Sequence, residues 1–146
     1  IANAGCDNGL LVVAEEQGAG KGRLSRGWIS PHAKGIWFSV VLKPPFLPQE
    51  ASKCTLLAAV AVVKAVNGVQ GVNAAIKWPN DIVVNHKKVC GILTELGTAN
   101  GQIDYLIVGV GINVNNGITL SSVESKEQKR AIILQVGNIQ QQNHHL

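Results

Sequence analysis

A chain of 146 residues, 46% of them hydrophobic, suits one compact domain with a core of useful size, and it excludes disorder throughout. The formal net charge of +4 is gathered at positions 21–26 and 87–88, so it fits a local anion site better than an even stripe for duplex nucleic acid. Aromatic residues make up only 4%, which leaves Trp28, Trp37 and Trp78 and little else to build a stacking platform for single strands.

In chain order, residues 10–14 read as a buried strand that delivers the chain to a glycine-rich, basic loop at 15–28. Ser30-Pro31 through Gly35 is a turn, and 36–43 is a second strand that Pro44-Pro45 ends. Pro48-Gln49-Glu50 opens a long helix to about Val66, closed by Asn67-Gly68; its mostly apolar circumference predicts burial against a sheet. Short strands at 74–78 and 81–84 flank a Pro79-Asn80 corner. Asn85-His86-Lys87 makes a hairpin turn before a strand at 89–96, and residues 97–101 make another before a central strand at 103–114. A second helix is predicted from Ser121 through Val136. Without repeats or a low-complexity linker, the economical architecture is a single α+β domain: a mixed, largely antiparallel sheet, hairpin-linked, with helices on one side.

Cys6, Cys54 and Cys90 are widely spaced, with no Cys-x-x-Cys pair and no histidine at zinc-ligand spacing. A reduced, cytoplasmic protein is the simplest reading. No apolar run reaches the ~18 residues needed to span a bilayer, so no membrane partner is expected.

Two segments carry chemistry. Lys77-Trp78-Pro79-Asn80-Asp81, followed by Lys87-Lys88-Val89-Cys90-Gly91, combines cations, an amide and a carboxylate that are expensive to bury unpaired. It suits either a site for acidic oxygens and a metal or a solvated turn closing a strand. Upstream, Gln17-Gly18-Ala19-Gly20-Lys21-Gly22-Arg23-Leu24-Ser25-Arg26-Gly27-Trp28 offers backbone N–H groups and positive charge to an anion, though such a loop can also be plain mobile surface. It is not a Walker A loop, because Lys21 is followed by Gly22 rather than a hydroxyl residue, and the dinucleotide fingerprint lacks its final glycine.

Together these segments, with Ser30-Pro31, Lys88 to Glu95 and Val108-Gly109-Val110-Gly111-Ile112-Asn113-Val114, resemble in order and spacing the catalytic domain of the biotin protein ligases. The resemblance implies the mixed-sheet fold shared with lipoate ligases and class II tRNA synthetases. It also implies ATP-dependent activation of biotin to biotinyl-5'-AMP and transfer to a lysine of a biotin carboxyl carrier protein. On this resemblance Arg23 and Lys88 hold the biotin carboxylate and then the acyl phosphate, while Lys21, Arg26 and Lys77 face ATP phosphates. Gln17 and Gly20 contact the ureido ring, with Gly22 in the same loop; Gly91, Gly109 and Gly111 let the ligand lie against strand backbones. Trp28 and Asn113 border the nucleotide, and Asp81, with Asn80 nearby, is the candidate magnesium ligand because magnesium prefers hard oxygen donors.

Viewed alone, Trp28 equally suits core filling and the glycines of 108–113 equally suit strand bulges. Cys90 is read as a packing substitute and His86 as a solvated turn residue. The family's Ser/Thr-Thr-Asn segment is not visible between residues 1 and 9, and the nucleotide-closing loop is not recognisable after Asn115. The expectation is therefore one incomplete catalytic domain over residues 1–146, without a DNA-binding winged helix or a small C-terminal β-domain, and with a sheet-to-sheet homodimer as the family's habit. The rival expectations are a lipoate or octanoate ligase or transferase of the same fold, a nucleic-acid-binding module using the basic loop, and a catalytically inactive binding domain.

Overall fold

The computed structural model describes residues 2–115, so the helix predicted over 121–136 lies outside the described residues. Six strands form one antiparallel sheet in the order β1-β4-β8-β7-β6-β5, where β1 is Leu10–Ala14, β4 Gly35–Leu42, β5 Ala74–Lys77, β6 Asp81–Val84, β7 Lys87–Ala99 and β8 Gln102–Asn113. The 15–28 segment is not a loop: it folds as a separate two-stranded ribbon of β2 (Gln17–Lys21) and β3 (Gly27–Ser30). Its glycines and charges lack the apolar alternation that marks a half-buried strand, which is why the sequence reads as a loop.

Strand alternation divides the large sheet into two unlike faces. One face carries Phe38, Val40, Ile82, Ile92, Leu106, Val108 and Ile112, buried with Ala59, Val62 and Val66 of the single described helix α1 (Ser52–Asn67). Burying each large aliphatic side chain there contributes about 1.5–3 kcal/mol. Thr55 of α1 and Thr94 of β7 satisfy one another across this interface at 2.7 Å.

The helix starts at Ser52, later than Pro48. Pro48–Glu50 forms a 3-10 turn instead, held by the Leu47 N–H donating to the Glu50 carboxylate at 3.3 Å. At the other end the Asn67 side chain accepts from the Ala74 N–H at 2.6 Å and donates to the Ala74 carbonyl at 3.3 Å, stitching the helix terminus to β5. The helix is buried against the sheet as expected, while on its outer side Leu57 is 67% exposed and Leu56 and Val60 are exposed with it.

Two tight hairpins set the register. Asn85 and His86 alone join β6 to β7, both at positive φ (49° and 63°), the geometry that matches right-handed strand twist. Asn100 and Gly101 join β7 to β8 at φ 52° and 75°. Gly97, expected in that turn, lies inside β7, where the Tyr105 ring packs across it and would stand 2.5 Å from any Cβ.

Candidate functional site

The second face of the sheet lacks bulk where the first has it. Gly91 of β7 pairs directly with Gly111 of β8, which in turn pairs with Trp37 of β4, and Gly109 pairs with Ser39. These glycines make a bare floor, and the β2–β3 ribbon arches over it. Between floor and ribbon lies a cavity of about 270 Å³. That is near the lower end of small-molecule pockets, room for one compact ligand.

Trp28 of β3 explains the modest size. Its indole lies on the floor: a Cβ at Gly111 would meet Trp28 Nε1 at 2.5 Å, and one at Gly91 would meet the ring edge at 2.9 Å. Trp37 meets it edge-on at 6.4 Å, and Lys88 Nζ stands 5.3 Å from the ring centroid. Trp28 Nε1 is buried with no hydrogen-bond partner among the described residues. Of the floor glycines expected to face a ligand, Gly91 and Gly111 therefore face this ring first, while Gly109 does not meet it.

Around the floor the structure brings together Gln17, Gly20, Lys21, Gly22 and Arg23 from the ribbon, and Trp28, Asn80, Lys88, Gly91, Gly109 and Gly111. Three of the five expected cations, Lys21, Arg23 and Lys88, thus share one wall. Arg26, Lys77, Asp81 and Asn113 are not on the cavity wall. Arg26 turns at the exposed end of the ribbon, where its carbonyl accepts from the Gly22 N–H at 2.7 Å. Lys77 stands opposite Asp81 on the edge strand β5, and Asp81 in turn pairs with Gly91, so Lys77 lies two strands from the floor along the same row. Asn113 is buried beside Gly35 at the end of β8.

Arg23 is carried to the cavity by a turn in which Leu24 and Ser25 both hold positive φ (57° and 59°). Its guanidinium donates to Asn80 Oδ1 at 3.0 Å. Asn80 is itself clamped to β7, accepting from the Ile92 N–H at 2.9 Å and donating through Nδ2 to the Ile92 carbonyl at 3.0 Å. Its amide is thus occupied as a strut for Arg23.

Asp81 Oδ1 lies 2.7 Å from Lys88 Nζ. The same oxygen makes no contact that meets hydrogen-bond geometry, so the short distance is an ion pair. The carboxylate expected to hold magnesium is thus paired with a lysine, and no group of three His, Cys, Asp or Glu side chains gathers among the described residues. A magnesium ion arriving with ATP would bring phosphate and water oxygens as its own ligands.

Cys90 is fully buried, and desolvation pushes its thiol well above the ordinary range, against a smaller opposing pull from Lys88. A thiol so placed packs and does not attack. Burial likewise raises the Cys54 thiol, and the three cysteines Cys6, Cys54 and Cys90 are unpaired.

Sequence reasoning missed Ser39 and Glu95 on the cavity wall and Ser30 behind it. Ser39 and Glu95 could have been found from strand parity, since they fall on the same face as Gly109 and Gly91. Ser30 had no signal beyond its place beside Pro31.

The chain matches the Biotin/lipoate A/B protein ligase family over residues 2–113 and belongs to it. It is 47% identical over 115 residues to the bifunctional ligase/repressor BirA of Bacillus subtilis, covering 79% of this chain and 35% of that protein. It is 35% identical over 122 residues to the biotin--[acetyl-CoA-carboxylase] ligase of Paracoccus denitrificans, covering 82% of this chain and 50% of that one. Among solved structures, the biotin protein ligase from Aquifex aeolicus in complex with biotin and ATP superposes with a TM-score of 0.70 at 30% identity, over 92% of this chain and 61% of that one. The fold is therefore the biotin ligase fold, and the chain spans half or less of the length of these two curated relatives.

No helix among the described residues is long and apolar enough to cross a membrane.

Proposed function

We propose that this chain is the catalytic core of an ATP-dependent biotin protein ligase. The observation that carries the reading is Arg23 and Lys88 on the wall of one small cavity with a glycine floor. Joining a carboxylate to ATP brings negative charge to negative charge, so fixed cations must hold the two together and offset charge in the transition state. Lys88 comes from β7 and Arg23 from the ribbon, so one small acid between them is gripped from two sides. Asp81 holds Lys88 in place through their ion pair; Asn80 does the same positional work for Arg23.

In the first step the biotin carboxylate oxygen attacks the α-phosphorus of ATP, the bond to the β-phosphate oxygen breaks, and pyrophosphate leaves. Lys21 joins Arg23 and Lys88 in balancing the phosphates, with Arg26 and Lys77 further out along the nucleotide, and Trp28 and Asn113 bordering it. In the second step the amine of a carrier-protein lysine attacks the acyl carbon, AMP departs, and the lysine loses a proton. The substrate carboxylate is its own nucleophile, so the buried Cys90 has no part to play. Magnesium would accompany ATP as its counter-ion, with Asp81 the carboxylate that could hold it. The three unpaired cysteines suit a cytoplasmic setting.

The test is calorimetric titration of the folded protein with biotin and with a nonhydrolysable biotinyl-adenylate mimic. Saturable heat with both is expected. Absence of heat with either overturns the proposal, and tighter binding of lipoate than of biotin in competition would move the chain to the lipoate branch of its family.

A further inference from the structure

Gln17 and Ser30 face one another as registered partners on β2 and β3. Ser30 Oγ lies 2.6 Å from Gln17 Oε1. The serine is 3% exposed, whereas Gln17 reaches the cavity wall. A carbonyl oxygen bears no hydrogen, so the hydroxyl must donate and the glutamine must accept. The amide's acceptor is thereby engaged, and its NH₂ group is the part left for a ligand.

The opposite amide orientation is disfavoured. It would place Nε2 against Ser30 Oγ and leave the hydroxyl hydrogen without an acceptor, since Gln17 is the only side-chain partner of Ser30 among the described residues. A buried unpaired donor is costly. Gly20 leaves the pair its room: a Cβ there would stand 2.3 Å from the Trp28 carbonyl, 3.1 Å from Gln17 Oε1 and 3.2 Å from Ser30 Oγ. A side chain at position 20 would therefore crowd the Gln17–Ser30 pair.

We infer that Ser30 is a specificity-determining positioning residue: by donating to Gln17 Oε1 it commits the Gln17 amide to act as a hydrogen-bond donor, so the cavity selects a ligand head that presents an acceptor oxygen. The inference rests on the biotin reading above, in which that oxygen is the ureido carbonyl. A site that hydrogen-bonds a particular polar group rejects the analogue with the wrong polarity, because the site's own groups are then left unpaired.

The experiment compares the affinity of the protein for biotin and for iminobiotin, whose imino N–H group replaces the ureido oxygen and turns an acceptor into a donor. The wild-type chain should prefer biotin. In Ser30→Ala the Gln17 amide is free to turn over, and the biotin-to-iminobiotin preference should narrow by ~10-fold or more. Ser30→Thr, which keeps the hydroxyl, should restore it. A merely structural role would lower both affinities together and leave the ratio unchanged; an unchanged ratio in folded Ser30→Ala overturns the inference while leaving the biotin reading intact. Wild-type protein that binds neither compound overturns both. Should Ser30→Ala fail to fold, Ser30→Cys supplies the same comparison with a weak donor, and an unaltered ratio there is equally decisive against Ser30.

Discussion

The two faces of the large sheet are made from the same strands, yet one is a scaffold and the other a site. Under α1, alternate positions of β7 and β8 carry Ile92, Leu106, Val108 and Ile112; one residue along, the opposite face presents Gly91, Gly109 and Gly111. Packing density on the first face holds the strands in register, and that rigidity permits the second to be bare. Beside the sheet's own Ser39 and Glu95, side chains are supplied to the glycine floor by a ribbon that contributes Trp28, Arg23 and Lys21, and by Lys88 at the start of β7. The lesson is that stability and ligand contact are separable here by strand parity alone, and substitutions on the two faces should fail in different ways.

The sharpest break is on the scaffold face. Leu106→Ala, at a fully buried position, should cost about 2–5 kcal/mol in denaturant melts while the molecules that remain folded keep their ligand affinity. A large affinity loss in the folded fraction would show the faces to be coupled. On the site side, Arg23→Ala should lower adenylation by ~10²- to 10³-fold, read as pyrophosphate release, with little change in melting temperature. A collapse of the melting temperature would instead make Arg23 a structural residue.

Gly111→Ala probes the boundary, because the added methyl must displace the Trp28 ring. We expect a stability loss of about 1–3 kcal/mol with a red-shifted, more quenchable tryptophan emission. Unchanged emission would mean the indole does not rest on the floor. Asn80→Ala should weaken ligand binding less than Arg23→Ala, by ~3- to 10-fold, since it removes a neutral strut and leaves the cation in place. Equal losses in the two variants would assign Asn80 a direct ligand contact.

The smallest effect concerns Glu50. A side-chain hydrogen bond from Lys53, then the Leu47 N–H, hold its pKa below the usual carboxylate range. A depressed folded pKa contributes stability above the unfolded value, and that contribution is lost as pH falls through the folded one. Thermal melts of wild type and Glu50→Gln should therefore converge below the ordinary carboxylate range and separate slightly above it.

Much of this was legible before any coordinates. Strands β4 and β6, the turn at Asn85-His86 and the closure of α1 at Asn67 follow from apolar patterning and turn chemistry, which are local signals; β1 was legible as a strand but not as the edge it is, since the apolar run predicts burial while Leu11, Val12 and Val13 are exposed. The ribbon was not legible, because its order comes from contact with the sheet rather than from its own residues. The cavity's cations were partly legible: Lys21, Arg23 and Lys88 could be named from motif, but that Arg26 turns at the exposed end of the ribbon and Lys77 sits two strands from Gly91 depends on the folded pairing, which no local pattern encodes. Trp28 lying on two glycines is a contact between segments more than sixty residues apart, and Ser30 acts through Gln17 across a register that only the folded ribbon defines.

One consequence belongs to that ribbon. Two strands by themselves are marginal in water, and β2 and β3 are hydrogen-bonded to each other but to none of the other strands. The indole seated on Gly91 and Gly111, and the Arg23 tether to Asn80, are what keep it folded down. Amide exchange in the ribbon should accordingly report on those two anchors, slow while both hold and fast when either is cut, so that an isotope label on a dozen backbone positions becomes a gauge of whether the cavity still has its roof.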